Sequence, residues 1–373
     1  MDSLTITGGT SANGGGINVY SSSVSLSNST VSGNSASSRG GGIYARSSSS
    51  VSLSNSTVPD NSASVGGGIY ARLSSSVSLN NNSTVSGNSA VTDGGGIYAR
   101  FASVSLNNST VSGNSASADG GGIYAIFSSV SLDNSAVSSN SATNRGGGIF
   151  ARYGSTSVSL GNSTVSDNSA IYGGGIHARS SSSVSLSNST VSGNSAFSQG
   201  GGIYAAFSSS VSLANSTVSG NSASADGGGI FATISASVSL SISTVSGNSA
   251  AARGGGVFSS SDSSVSLSNS TVSGNSASDG GGIFARSSSS VSLINSTVSG
   301  NLAVADGGGI LAQSTSVSLI NSTVSGNSAM QGGGIHARYD STSVSLANST
   351  VSDNSASNGG GIFARSSSSV SLA

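Results

Sequence analysis

A triplet of glycines followed by isoleucine or valine recurs along the chain and limits its fold more than any other feature. It occurs fourteen times, at spacings of 25 to 28 residues, and one copy reads Gly40-Gly41-Gly42-Ile43. A period this steady predicts one supersecondary unit stacked on copies of itself. The sequence therefore predicts a single repeat domain over residues 1–373. Both ends break off within a repeat, which predicts that the chain is a fragment of a longer protein.

One repeat predicts three short strands. Residues 24–26 alternate apolar and polar side chains, residues 30–32 are a second β-favouring run, and residues 43–46 are a third. Gly33-Asn34 predicts a turn, and residues 35–39, which vary in length between copies, predict a loop. Turns this short exclude a hairpin meander but allow each strand to pair in parallel with its copy in the next coil. The predicted fold class is all-β, a parallel β-helix of about 14 coils of 25–28 residues with three short strands per coil. A leucine-rich horseshoe would need more large apolar residues.

Recurring positions become columns along such a stack. Val24, Leu26, Val31 and Ile43 with their copies are predicted to face inward and to form the core. Asn34 and its copies predict an asparagine ladder, in which each side-chain amide bonds to the next coil and to the local backbone. Asn28 and its copies allow the same interpretation. They also stand in Asn-x-Thr sequons, so N-glycosylation remains an alternative for that column.

The residue after the isoleucine is aromatic in most copies, and arginine follows two residues later in eight of them. Strand alternation directs this aromatic column outward if the isoleucine points inward. An exposed aromatic stripe edged with arginine predicts a docking strip for an acidic polysaccharide or a cell-surface partner, or lateral association of rods. The alternative is a stacked ladder that stabilises the sheet from outside. The candidate binding residues are Tyr44, Tyr70, Tyr98, Tyr124, Arg46, Arg72 and Arg100.

The composition argues against several classes of function. Charged residues make up 6% of the chain, and the net charge of −1 argues against nucleic acid as a partner. There is no cysteine, and no apolar run is long enough to predict a transmembrane helix. The N-terminus shows no secretion signal.

The carboxylates and histidines predict no catalytic residue, metal site or cofactor. Two neighbouring pairs, Asp93 with Asp119 and Asp279 with Asp306, precede glycine triplets, as does Asp226. A pair of this kind supplies too few oxygens for Ca²⁺ without help, so we expect solvated loop charges. The two histidines, at positions 177 and 336, are six coils apart and cannot share a metal.

Two motifs carry a resemblance to a known family. Val31-Ser32-Gly33-Asn34 and Gly41-Gly42-Ile43, repeated through nearly the whole chain, resemble the FxxN and GGA(I/L/V) repeats of the polymorphic outer-membrane proteins. More broadly, the chain is similar to the right-handed parallel β-helix repeat proteins, a class that includes pectate lyases. Valine replaces phenylalanine throughout, and the glycine pair is a triplet. The resemblance implies a right-handed β-helix, surface display and adhesion.

Three functions remain open at this point. The first is a non-enzymatic rod, secreted or displayed on the cell surface, that binds a glycan or partner along the aromatic–arginine strip. The second is a polysaccharide lyase-like enzyme whose active site lies outside this fragment. The third is an ice-binding protein, because one threonine column recurs beside serines. Its members are Thr30, Thr57, Thr84, Thr110, Thr164 and Thr190.

Overall fold

The computed structural model describes residues 3–373, so the first two residues of the predicted domain lie outside the described range. The regular elements between residues 3 and 373 are β-strands, and no helix occurs among them. The chain divides into two compact units, Met1–Val184 and Ser185–Ala373. Each unit is a parallel β-helix, and the chain has about fourteen coils with four strands in each.

In the first unit the four kinds of strand follow one another in each coil. The Thr-Val-Ser strands are Thr5–Thr7, Thr30–Ser32, Thr57–Pro59, Thr84–Ser86, Thr110–Ser112, Ala136–Ser138 and Thr164–Ser166. The Ser-Ala strands are Thr10–Asn13, Ser35–Arg39, Ser62–Val65, Ser89–Ala90, Ser115–Ala116, Ser141–Ala142 and Ser169–Tyr172. The Ile-aromatic strands are Ile17–Tyr20, Ile43–Arg46, Ile69–Arg72, Ile97–Arg100, Ile123–Ile126, Ile149–Arg152 and Ile176–Arg179. The Ser-Val-Ser-Leu strands are Ser23–Ser27, Ser50–Ser54, Ser76–Asn80, Ser103–Asn107, Ser129–Asp133, Ser157–Gly161 and, including the boundary, Ser183–Ser187.

The second unit repeats the same four kinds. Its Thr-Val-Ser strands are Thr190–Ser192, Thr217–Ser219, Thr244–Ser246, Thr271–Ser273, Thr297–Ser299, Thr323–Ser325 and Thr350–Ser352. The Ser-Ala strands are Ser195–Gln199, Ser222–Ala223, Ser249–Ala250, Ser276–Ala277, Leu302–Ala303, Ser328–Gln331 and Ser355–Asn358. The Ile-aromatic strands are Ile203–Ala206, Ile230–Thr233, Val257–Ser259, Ile283–Arg286, Ile310–Gln313, Ile335–Arg338 and Ile362–Arg365. The Ser-Val-Ser-Leu strands are Ser210–Ala214, Ser237–Ser241, Ser264–Ser268, Ser290–Ile294, Ser316–Ile320, Ser343–Ala347 and Ser369–Leu372.

The prediction of a parallel β-helix is confirmed, but the prediction of three strands per coil is wrong. Residues 35–39, predicted as a loop, are the fourth strand, Ser35–Arg39. Its single inward side chain is the small Ala36, which is 3% exposed. The strand shortens to two residues in other coils, as in Ser89–Ala90. Because alanine and serine give almost no hydrophobic alternation, the sequence pattern could not show this strand.

The inward columns are the predicted ones. In the first unit Ile69 lies opposite Ile97, and Val77 lies opposite Val104, in parallel register. Val58 and both of these isoleucines have no exposed surface. Stacking identical coils therefore buries columns of valine and leucine on the Ser-Val-Ser-Leu sheet, valine on the Thr-Val-Ser sheet, isoleucine on the Ile-aromatic sheet and alanine on the Ser-Ala sheet.

The asparagine ladder is confirmed at the turn after Val31. Asn88 is fully buried. Its Nδ2 donates to the Val58 carbonyl at 2.8 Å and to the Asn114 Oδ1 at 2.9 Å, and its Oδ1 accepts from the backbone and side-chain nitrogens of Asn61. Each amide thus satisfies buried backbone groups that the tight turn leaves without partners.

The turn conformation and the close packing of neighbouring coils at this ladder explain the glycine triplets. Gly94 has a φ of +68°, a left-handed conformation that favours glycine. A Cβ on Gly96 would lie 2.7 Å from the Gly122 carbonyl oxygen and 2.9 Å from the Asn114 Nδ2. A side chain there would therefore push the coils and the ladder apart.

Candidate functional site

The aromatic residues after the inward isoleucines form what we call the ring column, and they are buried. Tyr44, Tyr70 and Tyr124 are no more than 5% exposed, and Tyr98 is 8% exposed. Neighbouring rings stack, with centroids 4.8 Å apart for Tyr70 and Tyr98. The prediction of an exposed aromatic stripe is therefore wrong, and the alternative of a stacked ladder on the outside of the sheet describes these rings. Whether these residues bind a ligand stays a prediction.

Arginines on both flanks of the ring column explain the burial. Strand-end arginines such as Arg46 and Arg286 lie on one flank, and Arg39, Arg145 and Arg253, each just before a glycine triplet, lie on the other. The Arg286 Cζ is 5.3 Å from the Phe258 ring centroid, and the Arg253 Cζ is 5.9 Å from it. Guanidinium groups bind favourably over aromatic faces, so they cover the rings at little cost in hydration. The eleven arginines of the chain all belong to these two flanking columns.

Three of the aspartates before the glycine triplets, Asp119, Asp226 and Asp306, are buried beside these arginines, and Asp93 and Asp279 are half-buried. The prediction of solvated loop charges is therefore wrong for the three buried ones. Asp119 is 7% exposed and accepts from the Arg145 Nη1 at 3.4 Å. Asp226 is 3% exposed and accepts from the Arg253 Nε at 3.0 Å. Partners 26 and 27 residues apart meet because neighbouring coils place them side by side. The aspartate and the arginine of such a pair stabilise each other, because either charge alone would be buried without an opposite charge beside it.

Burial shifts the pKa values of the groups around the rings. Burial, and then the neighbouring Asp119 charge, raises the pKa of Asp93. Burial and Asp306 do the same for Asp279. Burial also raises the pKa of the Tyr98 phenol to about 12. These shifts fit an environment that disfavours charge wherever no guanidinium compensates it.

Two histidines occupy ring-column positions. His336 is fully buried, its Nδ1 is 3.6 Å from the Asp306 Oδ1, and Asp306 also pairs with Arg338. Burial lowers the pKa of His336 to about 4, despite the opposing effect of Asp306. Burial lowers the pKa of His177 to about 3. Both imidazoles are therefore neutral at pH 7. Within residues 3–373 no three His, Cys, Asp or Glu side chains lie close enough to hold a metal ion.

A second column, of one leucine and three aromatic residues, is partly exposed, although two of its rings also pack against the ring column. Leu73, Phe101, Phe127 and Tyr153 occupy the corner directly after the Ile-aromatic strands, and we call these four residues the corner ridge. Leu73 is 39% exposed and Phe101 is 46% exposed. All four have a positive φ, between 47° and 72°. A bulky side chain rarely adopts this conformation, and the equivalent corner residue in most other coils is serine, for example Ser47.

The rings of the corner ridge stack on one another. The Phe101 and Phe127 centroids are 4.9 Å apart with planes 4° from parallel, and Phe127 and Tyr153 are 5.0 Å apart. The Arg152 Cζ lies 4.4 Å from the Tyr153 centroid, and the Arg100 Cζ lies 5.7 Å from the Phe101 centroid. Ring faces are thus occupied by other rings or by guanidinium groups, and the exposed parts are mainly ring edges.

Two grooves run beside the corner ridge. One has a volume of about 370 Å³, with Phe101 and Phe127 on one side and serine hydroxyls, including those of Ser103 and Ser129, on the other. A smaller one, of about 110 Å³, is lined by Arg72, Leu73, Arg100 and Phe101. The surface therefore combines apolar edges, hydroxyls and positive charge.

The sequence analysis did not identify the corner ridge, although a signal was present. Four successive coils replace the usual corner serine with Leu73, Phe101, Phe127 and Tyr153. Large apolar residues at a turn position have no role in the core, so their run in adjacent coils indicated an exposed patch. Of the predicted strip, Arg72 and Arg100 do lie beside this patch, whereas the predicted tyrosines lie beneath the arginine cover.

Comparison with known proteins concerns the fold. A model of the right-handed β-helix region matches residues 1–129, 95–272 and 201–373, which together span the chain. A search of curated proteins gives no match. Among the described residues there is also no helix long and apolar enough to cross a membrane.

Proposed function

Because the chain belongs to the right-handed β-helix family, we propose that it is a non-enzymatic binding protein, secreted or displayed at the cell surface, that takes an acidic polysaccharide. The contact surface is the corner ridge together with Arg72, Arg100 and Arg152. The resemblance of the repeats to the polymorphic outer-membrane proteins supports surface display and adhesion. The observation that carries the proposal is the run of exposed and partly exposed apolar corner residues, with guanidinium groups beside them, in adjacent coils of the first unit.

The ring geometry favours an anionic ligand. An aromatic ring is negative on its faces and positive at its edge. In the corner ridge the faces are occupied and the edges are exposed, so the rings add weak positive potential to that of the arginines. The corner positions of these coils and the residues directly after them include no carboxylate. A neutral sugar that requires a free ring face is therefore a poorer fit than a chain of uronic acids.

The second unit offers a matched surface with a different composition. Its corner positions include Phe207 and Ile234, but the strand-end residues before them are Ala206 and Thr233 rather than arginine. Asp262 also stands at this corner. Tyr339 does follow an arginine, but Arg338 pairs with Asp306 and Asp340 comes directly after the ring. The second unit therefore has no comparable run of corner rings and arginines in adjacent coils, and we expect it to contribute little to binding of an anion.

The test is binding of polygalacturonate, with dextran as the neutral probe. Wild-type protein should bind polygalacturonate, and added NaCl should weaken binding because exposed charge contacts are screened. Each exposed guanidinium–carboxylate contact contributes about 0.5–1 kcal/mol, so the triple variant R72S/R100S/R152S should lose roughly ten- to hundredfold in affinity. The control variant, R286S/R365S in the second unit, should bind like wild type.

Equal binding by the triple variant and wild type would contradict the proposed surface. Unsaturated products released from polygalacturonate would instead favour a lyase. The F101S/F127S variant tests the rings separately: it should reduce affinity severalfold and leave the salt dependence intact, because the arginines remain.

A further inference from the structure

One coil of the first unit departs from the repeat at three positions that are at least partly exposed. Where other coils read Ser-Asn-Ser-Thr-Val-Ser-Gly-Asn, this coil has Asp133, Ala136 and Ser139 in place of serine, threonine and glycine. Ala136 is the only interruption in a column of threonines, and Asp133 is the only aspartate in its column. The inward residues of the coil keep the consensus, so the departures change the surface and leave the core unchanged.

A groove of about 330 Å³ lies over one of these departures, Ala136. Its lining includes the corner asparagines Asn108 and Asn134 on one side and Thr110, Ala136 and Thr164 on the other. Ala136 lacks the hydroxyl and methyl groups that threonine would place there, which opens the middle of the groove. This groove lies on a different face from the corner ridge, since the whole strand Ser129–Asp133 separates them in this coil.

The groups along the groove are available for a ligand. The asparagines are exposed and have a positive φ, 48° at Asn108 and 49° at Asn134, so their side chains mark an outward corner. In other coils the corner amides bond to one another, as Asn55 Nδ2 does to Asn28 Oδ1 at 2.6 Å. Within residues 3–373, Asn108 and Asn134 make no such side-chain bond. On the floor, Ser135 Oγ already donates to the Asp133 carbonyl at 2.8 Å.

We propose that this groove binds a neutral saccharide. Amides and hydroxyls both donate and accept hydrogen bonds, which suits a ligand covered with hydroxyl groups. Asp133 does not line the groove, but it is exposed directly before Asn134, so its negative charge nearby disfavours an anion. No arginine lines the groove, and the methyl groups of Ala136 and the flanking threonines meet the C–H surface of a sugar. The volume is at the lower end of the range of about 300–1,000 Å³ for ligand sites, which fits one or two sugar rings.

The test is a titration of the full chain with cellobiose, maltose and lactose, with galacturonic acid as the anionic probe, followed by NMR of the asparagine side-chain amides. At least one neutral disaccharide should produce saturable shifts, and galacturonic acid should bind at least tenfold more weakly. The decisive variant is Ala136→Thr, which restores the residue of the other coils and fills the groove without disturbing the fold. It should lose at least tenfold in affinity.

Two further variants separate this groove from the corner ridge. Asp133→Ser, which restores the common residue, should leave disaccharide binding nearly unchanged and should strengthen binding of galacturonic acid, because a nearby negative charge is removed. R72S/R100S/R152S should leave disaccharide binding unchanged. The proposal is overturned if no neutral disaccharide gives saturable shifts, if Ala136→Thr binds like wild type, or if galacturonic acid binds as tightly as the disaccharides. None of these results affects polygalacturonate binding at the corner ridge.

Discussion

The ring column and the corner ridge are two aromatic ladders that differ in what covers them. Tyr98 and Phe101 are three residues apart in the chain, and each stacks on the next coil at nearly the same spacing, 5.0 Å for Tyr98 on Tyr124 and 4.9 Å for Phe101 on Phe127. Yet Tyr98 is 8% exposed and Phe101 is 46% exposed. Both residues are aromatic and both stack, so the difference in exposure comes from their positions. Tyr98 lies within the strand Ile97–Arg100, whereas Phe101 lies at the corner after it, with a positive φ.

The largest expected difference between the ladders is in stability. Tyr98→Ala removes a buried ring and should lower the free energy of opening that coil by about 3–5 kcal/mol. Phe101→Ser should change it by no more than about 0.5 kcal/mol, because serine is the usual residue at this corner and the ring is largely in water. Hydrogen exchange of the amides in Ile97–Arg100 measures both. Equal losses in the two variants would show that the corner ridge is structural as well.

A smaller effect concerns acid. His336 has a folded-state pKa of about 4, below the ordinary value of 6.5, so the unfolded chain takes up the proton first as the pH falls. Its contribution to stability is therefore complete above pH 6.5 and is lost between pH 6.5 and 4, by up to about 3 kcal/mol. His336→Phe, which matches Phe363 in the same column, should remove this part of the pH dependence. The measurement is the difference in stability between pH 7 and pH 4 in the two proteins. An unchanged difference would contradict burial of a neutral imidazole.

The smallest expected effect on stability concerns the arginines that lie over the aromatic rings. Arg286→Ser removes a guanidinium group from above Phe258 and should destabilise that coil by about 1–2 kcal/mol, since a partly desolvated cation–π contact is lost. Arg100→Ser, beside the exposed Phe101, should cost about 0.5 kcal/mol. Hydrogen exchange of the backbone amides measures both effects, in the strand Val257–Ser259 for Arg286→Ser and in Ile97–Arg100 for Arg100→Ser. A larger loss at Arg100 would reverse our assignment of cover and binding surface.

The sequence predicted the architecture of the coils because the core residues repeat at fixed positions. Val31, Ile43 and Asn34 with their copies indicated the inward columns and the ladder without any structural information. The fourth strand was not predicted because its inward residue, Ala36, is too small to give an alternating pattern. The prediction of this strand was limited by the weak hydrophobic alternation of its own residues.

The candidate site was predicted less well, for a different reason. The alternation of side chains along the strand correctly predicted that the ring column lies on the outer side of its sheet. It could not show which residues of neighbouring coils cover the rings. The cover depends on pairs such as Arg253 with Asp226, which meet only because neighbouring coils stack. Exposure of Phe101 depends on its corner conformation. Contacts between coils, rather than residue type, determine which aromatic rings a ligand can reach.

The buried asparagine ladder has a consequence for how such a chain can change over generations. Each amide bonds to an identical amide in the next coil, so any coil is an acceptable neighbour for any other. Duplication or deletion of one whole coil in the gene would leave every remaining amide with the same partners. Stacking then requires the same residue types at the core, ladder and glycine positions. The residues at the corners and groove edges can change more freely. The chain can thus gain or lose exposed residues such as Phe101 and Asp133 while the core, the ladder and the glycine positions stay the same.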